Sequence, residues 1–158
     1  MNSKTNYRTL MICVLIPLLI GGLSALFTVG SMQDFAALRK PPLSPPGWLF
    51  PIVWSVLYIL MGVASYIVVE SGGKAEDKKR AFKTYFLQLG FNFFWSIIFF
   101  SFNAYEIAFA WLVALLALIV ITTVDFYRID KRAGILMTPY ILWVLFAGYL
   151  NLAIAYLN

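Results

Sequence analysis

Five runs of apolar residues, each about 20 residues long, follow one another along the chain with short polar breaks between them. A helix of that length crosses the roughly 30 Å of bilayer hydrocarbon. The runs fall near residues 8–29, 48–70, 82–102, 106–126 and 135–157. Hydrophobic residues make up 62% of the chain and charged ones 12%, where a soluble domain averages about 45–50% and about 25%. The expectation is a single-domain, all-α integral membrane protein: a five-transmembrane-helix bundle, multi-pass in the cell membrane. The first run follows Lys4 and Arg8, as in a signal peptide. It is too long for one and lacks a small-x-small cleavage site, so it reads as an uncleaved span.

Charge placement orients the bundle. Five spans put the N-terminus and the 2–3 and 4–5 connectors on one side. That side carries Lys4, Arg8, Lys74, Lys78, Lys79, Arg80, Lys83, Arg128, Lys131 and Arg132, and the other only Arg39 and Lys40. The positive-inside rule then predicts a cytoplasmic N-terminus and an external C-terminus. The net charge of +5 is thus a topology signal and a contact for anionic lipid, not a nucleic-acid footprint. The run from Glu70 to Lys83 reads as a solvated loop. Asp125 near the end of span 4 is expected to pair with Arg128 at i+3.

Polar and small residues inside the spans keep helical spacing. Pro17, Gly21, Ser24 and Thr28 form one such set, and Trp54, Tyr58, Met61 and Ser65 another. Gln88, Asn92, Trp95 and Phe99 follow in span 3, and Tyr140, Trp143, Ala147 and Asn151 in span 5. Each set shares a helix face. Hydrocarbon penalises polar groups, so these faces should point into the bundle. Span 4 differs: its ridge of Ala110, Ala114 and Ala117 suits close helix packing, and the span is expected to face lipid or a second subunit.

The inventory excludes much chemistry. With no histidine and one cysteine, Cys13, there is neither a hydrolytic triad, a His/Cys metal cluster nor an intrachain disulfide. No carboxylate pair lies at mid-span and no glycine-rich phosphate loop is present. No metal site and no cofactor are expected. Of the five tryptophans, Trp48 reads as an interfacial anchor. Trp54, Trp95 and Trp143 fall on polar stripes with Tyr58, Gln88, Asn92, Tyr140 and Asn151. Such a set would line an apolar slot with a few directional polar groups, which is how small-molecule sites are built. Two proline pairs, Pro41-Pro42 and Pro45-Pro46, stiffen the preceding connector, about residues 30–47, into a candidate lid.

Three motifs carry a resemblance across nearly the whole chain. The first runs from Lys40-Pro41 through Pro45-Pro46, Trp48, Pro51, Val53-Trp54, Leu57-Tyr58, Met61-Gly62 and Ser65-Tyr66. The second is Gln88-Leu89, Asn92, Trp95 and Phe99-Phe100; the third is Pro139-Tyr140, Trp143, Phe146-Ala147 and Leu150-Asn151. In this order and spacing the chain resembles the translocator protein family, also called tryptophan-rich sensory proteins or peripheral benzodiazepine receptors. The resemblance implies a five-helix bundle, often a homodimer. It implies a lidded pocket for porphyrins and for synthetic isoquinoline or benzodiazepine ligands. It implies light- and oxygen-dependent breakdown of protoporphyrin IX by bacterial members. The animal cholesterol motif needs a basic residue after the final aromatic, and Leu150 to Asn158 holds none.

On this resemblance the ligand-binding set is expected to be Arg39, Lys40, Pro46, Phe50, Trp54, Tyr58, Gln88, Asn92, Trp95, Trp143, Ala147 and Leu150. Trp54 and Trp143 are the expected photochemical pair, and Arg39 and Lys40 the partners of the porphyrin carboxylates. With histidine missing, the usual strong haem ligand is absent, so metal-free porphyrin is the expected partner. The competing functions are a carrier of tetrapyrroles or lipids and a ligand sensor acting through a partner protein.

Overall fold

The computed structural model describes residues 6–158, apart from the side chains of residues 32–34. Lys4, counted in the charge asymmetry, lies outside the described residues, as does the side chain of Asp34. Among the described residues the regular elements are all helical. Helix α1 spans Tyr7–Thr28 and runs through a short 3-10 turn, Val29–Ser31, into α2, Met32–Ala37. Then come α3 (Leu49–Glu70), α4 (Ala75–Ser96), α5 (Tyr105–Ile129) and α6 (Lys131–Leu157).

Four helical segments are long and apolar enough to cross a membrane among the described residues: Tyr7–Ser31, Leu49–Glu70, Tyr105–Ile129 and Lys131–Leu157. Helix α4 is as long as α3, but its first turns carry Glu76, Asp77, Lys78, Lys79, Arg80 and Lys83. Here the expected solvated loop is corrected. From Ala75 onward the charged run is helix. Its acids stand in the first turn, where they complement the helix dipole, and Asp77 pairs with Arg80 at i,i+3. The expected lid loop over about residues 30–47 is only partly loop, since residues 30–37 are helical and only the proline-rich remainder is irregular, with a turn at Pro42 and Leu43.

Helix α1 packs on α3 and α4, α3 on α6, α6 on α5, and α5 on α4. The five long helices therefore close a ring. The short link between α4 and α5 makes them neighbours, as their spacing predicts. Only Asp130 separates α5 from α6. It caps α6 by accepting from the Arg132 amide at 2.9 Å, and Arg132's guanidinium holds its carboxyl below the usual carboxylate range.

Asp125 finds a different partner from the one expected. Its carboxylate, nearly buried at 7% side-chain exposure, pairs with Arg80 of α4 at 3.3 Å, not with Arg128 of its own helix. Placing the charged turns of α4 beside the end of α5 creates that pairing. The ridge Ala110, Ala114 and Ala117 is exposed on the outer face of α5. Helices within the chain do not use it.

The backbones of α1 and α3 come close where Gly62 meets Cys13 and Val14, one turn before Pro17. Pro17 cannot donate to the carbonyl of Cys13 one turn earlier. Gly62 of α3 lies against that carbonyl, and a Cβ there would stand 2.8 Å from Cys13 O. Backbone cannot yield as a flexible side chain can. Gly62→Ala is therefore expected to lower stability by about 1–3 kcal/mol, the usual cost of overpacking. Gly72→Ala, with nothing within 4 Å of the added carbon, should be near neutral. Thermal unfolding of both variants in detergent checks this; equal midpoints would refute the contact.

Candidate ligand site

Polar stripes from three helices meet at the centre of the ring. The Tyr58 hydroxyl donates to Asn92 Oδ1 at 2.7 Å, and Asn92 Nδ2 donates to the Tyr140 oxygen at 2.9 Å. The Tyr140 hydroxyl in turn donates to Gln88 Oε1 at 2.9 Å. A second chain lies toward the lid end. Trp95 Nε1 donates to Asn151 Oδ1 at 3.1 Å, and Asn151 Nδ2 to the Tyr105 carbonyl at 2.7 Å. Gln88, Asn92, Tyr140 and Asn151 are all buried. In hydrocarbon a stranded donor is costly, so these side chains saturate one another.

Above this floor the rings stack. Trp54 lies against Tyr58 at 5.7 Å and 30°, with Trp95 at 6.2 Å and the edge of Tyr140 at 6.1 Å. Trp95 stacks on Phe99 at 5.5 Å. Past Ser96 the helix loosens into a π-helical turn, Ile97–Ser101, with Phe102 N–H bonding Ile97 O at 3.1 Å. That turn presents both Phe99 and Phe100 to Phe35 of α2, at 6.0 and 5.2 Å. Such π turns are frequent at functional sites.

A cavity of about 260 Å³ opens between α1, α3 and α4. Phe50, Trp54 and Tyr58 line it from α3, Trp95, Ser96 and Phe100 from α4 and the π turn, and Gly21, Ser24 and Thr28 from α1. Gly21 gives the Tyr58 ring its place, since a Cβ there would overlap it. Thr28 returns its hydroxyl to the Ser24 carbonyl at 3.1 Å. The Ser24 hydroxyl is buried with no hydrogen-bond partner among the described residues.

The expected set divides. Phe50, Trp54, Tyr58 and Trp95 line this cavity. Gln88 and Asn92 lie beneath it in the hydrogen-bond chain. Trp143 borders a separate apolar groove between α3 and α6, about 480 Å³, with Ile52, Val56 and Pro139. Phe50 stands between the two spaces, 5.9 Å from Trp143 edge-on. Trp143 Nε1 is buried without a hydrogen-bond partner among the described residues. Ala147 and Leu150 are buried on α6, and neither lines the cavity. Trp48 is exposed at the start of α3.

Pro46, Arg39 and Lys40 belong to the lid. The Pro46 carbonyl accepts from Leu49 N–H at 3.0 Å as α3 begins. Lys40 Nζ sits 4.9 Å over the Phe35 ring. The lid is tied to α6: Arg39 N–H donates to Asn158 Oδ1 at 3.0 Å, and the Tyr149 hydroxyl donates to Pro42 O at 2.9 Å. Leu43 holds φ at 68°, a left-handed conformation that a leucine seldom adopts. Phe35 was missed by sequence reasoning, because nothing in the pattern signals that α2 folds back over the ring. Gly21, Ser24 and Thr28 were legible as an inward stripe, but not as cavity wall.

Comparison with known proteins places the chain. A profile of the TspO/MBR family matches residues 13–157. Among similar curated proteins is "Tryptophan-rich protein TspO" of Archaeoglobus fulgidus, 39% identical over 97% of this chain and 99% of its own length. The protein of the same name from Chlorobaculum tepidum is 36% identical over 95% and 96%. "Translocator protein" of Bos taurus is 33% identical over 87% and 82%.

Asn92 is the hub of the central chain. Asn92→Leu would strand the Tyr58 hydroxyl and remove one partner of Tyr140. It is expected to cost about 1–3 kcal/mol for each stranded group. In that background Tyr58→Phe should cost less than in the native chain. A double-mutant cycle on thermal unfolding measures this, and strict additivity would refute the coupling.

Proposed function

We propose that this chain, which belongs to the TspO/MBR family, binds protoporphyrin IX and related flat apolar ligands in its aromatic cavity and promotes their light- and oxygen-dependent degradation. The protein is a multi-pass membrane protein; its proposed place is the cell membrane. The proposed topology is five spans, N-terminus cytoplasmic and C-terminus outside. Support for the third span comes from α4 and its π turn, which carry no charged residue from Thr84 to Ala104.

The observation that supports the function most is the aromatic wall of Phe50, Trp54, Tyr58 and Trp95, with Trp54 stacked on Tyr58, on a mostly apolar cavity. A tetrapyrrole offers two broad π-faces, and indoles and phenols match them. Isoquinoline- and benzodiazepine-type ligands fit the same chemistry. The cavity, about 260 Å³, is smaller than the roughly 300–1,000 Å³ that encloses a drug-sized ligand. A tetrapyrrole would therefore have to widen the cavity by moving rings such as Phe35, which packs on the wall residues Phe50 and Phe100. Arg39 and Lys40, exposed on the lid segment, would meet its carboxylates.

Illuminated metal-free porphyrin passes energy to dioxygen, and an adjacent indole is an oxidisable partner. Trp54 lies on the cavity wall, whereas Trp143 is one ring removed behind Phe50. The proposed homodimer would use the outward ridge Ala110, Ala114 and Ala117.

Purified protein in liposomes, titrated with protoporphyrin IX and then illuminated, tests the proposal. Saturable binding in the dark and light-dependent loss of porphyrin absorbance are expected. Trp54→Phe should slow that loss severalfold while dark binding persists, and Trp143→Phe should slow it less. If both variants degrade porphyrin like the native protein, the mechanism is wrong. Dark movement of porphyrin across the bilayer, without degradation, would establish a carrier instead.

A further inference from the structure

A second, polar cleft lies at the end of the bundle opposite the lid. It has a volume of about 330 Å³ and sits between the α3–α4 connector, the first turns of α4 and the end of α5. Lys74, Arg80 and Arg128 line it against one carboxylate, Asp77. That carboxylate is already engaged, at 3.5 Å from Arg80 Nη2. Asp125 grips the same nitrogen from behind at 3.3 Å. Two acids thus fix the guanidinium through a single nitrogen, and its other N–H groups have no protein acceptor among the described residues. Lys74 and Arg128 have no acidic partner among the described residues. Both acids are thus engaged by Arg80, which leaves Lys74 and Arg128 as the cations without an acidic partner around a concave space.

Membrane topology explains why cations gather at this end, but not why three converge on one cleft. Lys79 and Lys83 lie on the same helix at the same end and do not line it. Converging like charges repel unless an anion lies between them. The N–H groups of Arg80 not held by the acids, together with the unpaired Arg128 guanidinium, offer charge-assisted donors to phosphate oxygens, and lysine adds a point charge. Where hydrocarbon gives way to headgroups, an anionic phosphate is the anion at hand.

We propose that this cleft binds a phosphate group, supplied by an anionic lipid headgroup or by a soluble phosphate. The site is independent of the aromatic cavity, so its failure would leave the tetrapyrrole proposal standing.

Delipidated protein in a non-ionic detergent is titrated with short-chain phosphatidylglycerol and, separately, with inorganic phosphate, following the thermal midpoint. A saturable rise is expected. A rise with the lipid alone identifies a headgroup site, and an equal rise with inorganic phosphate identifies a soluble-anion site. The double variant Lys74→Gln/Arg128→Gln, which spares the Arg80–Asp125 pair, should weaken apparent affinity at least about tenfold, as loss of charge-assisted contacts predicts. Lys79→Gln/Lys83→Gln should leave it unchanged. Native mass spectrometry of bound lipid gives a second readout should the cleft variant prove unstable. No saturable rise with either probe, native affinity in the cleft variant, or an equal loss in the control pair would each overturn the proposal.

Discussion

Most of this chain's interior polar side chains lie where water does not reach, and the rest of the structure follows from how they are satisfied. Tyr58, Asn92, Tyr140 and Gln88 do it by forming one unbroken chain across α3, α4 and α6. Trp95, Asn151 and the Tyr105 carbonyl do it again nearer the lid. Each link is a donor aimed at an acceptor on a different helix. The polar groups thus set the mutual rotation of the helices, while the apolar surfaces around them tolerate many arrangements.

The cavity forms where these cross-links do not reach. Helix α1 is tied by side-chain hydrogen bonds near its ends. The Asn6 amide donates to the Tyr66 hydroxyl at 3.2 Å, and the Phe27 carbonyl accepts from Ser101 at 3.2 Å. Its middle packs on α3, where Gly62 lies against Cys13 and Val14. Between that contact and the lid, small residues on α1 face large rings on α3 and α4, and the mismatch leaves space. The segment between α1 and α3 is held by ring contacts of Phe35, by two ties to α6, and bends at Leu43 in a left-handed conformation.

Much of this was legible from residue spacing. The stripe of Gln88, Asn92 and Trp95 and that of Tyr140 and Asn151 announced inward faces, because polar groups at helical period in an apolar run have no other tolerable direction. Spacing along one helix does not reveal the partner on another. Gln88 and Asn92 could as well have faced a ligand as each other's neighbours. Asp125 looked paired with Arg128 because both lie on one helix, whereas Arg80 comes close only after α4 and α5 pack. The helix starting at Ala75 was hidden because a charged run reads alike as loop or as exposed helix.

By itself the sequence determined the class of solvent, the helical runs, the inward faces and the aromatic character of any site. Those follow from local period and from the cost of placing a polar group in hydrocarbon, which needs no knowledge of neighbours. Only the tertiary structure decided that Trp54 lies on the cavity wall while Trp143 lies beyond Phe50, that Phe35 packs on the wall rings Phe50 and Phe100, and that three cations converge around a cleft at the far end. Those depend on which helices stand side by side and how each is rotated. That is set by close contacts such as Gly62 against Cys13 and by hydrogen bonds spanning many residues, and neither appears in the periodicity of a single helix.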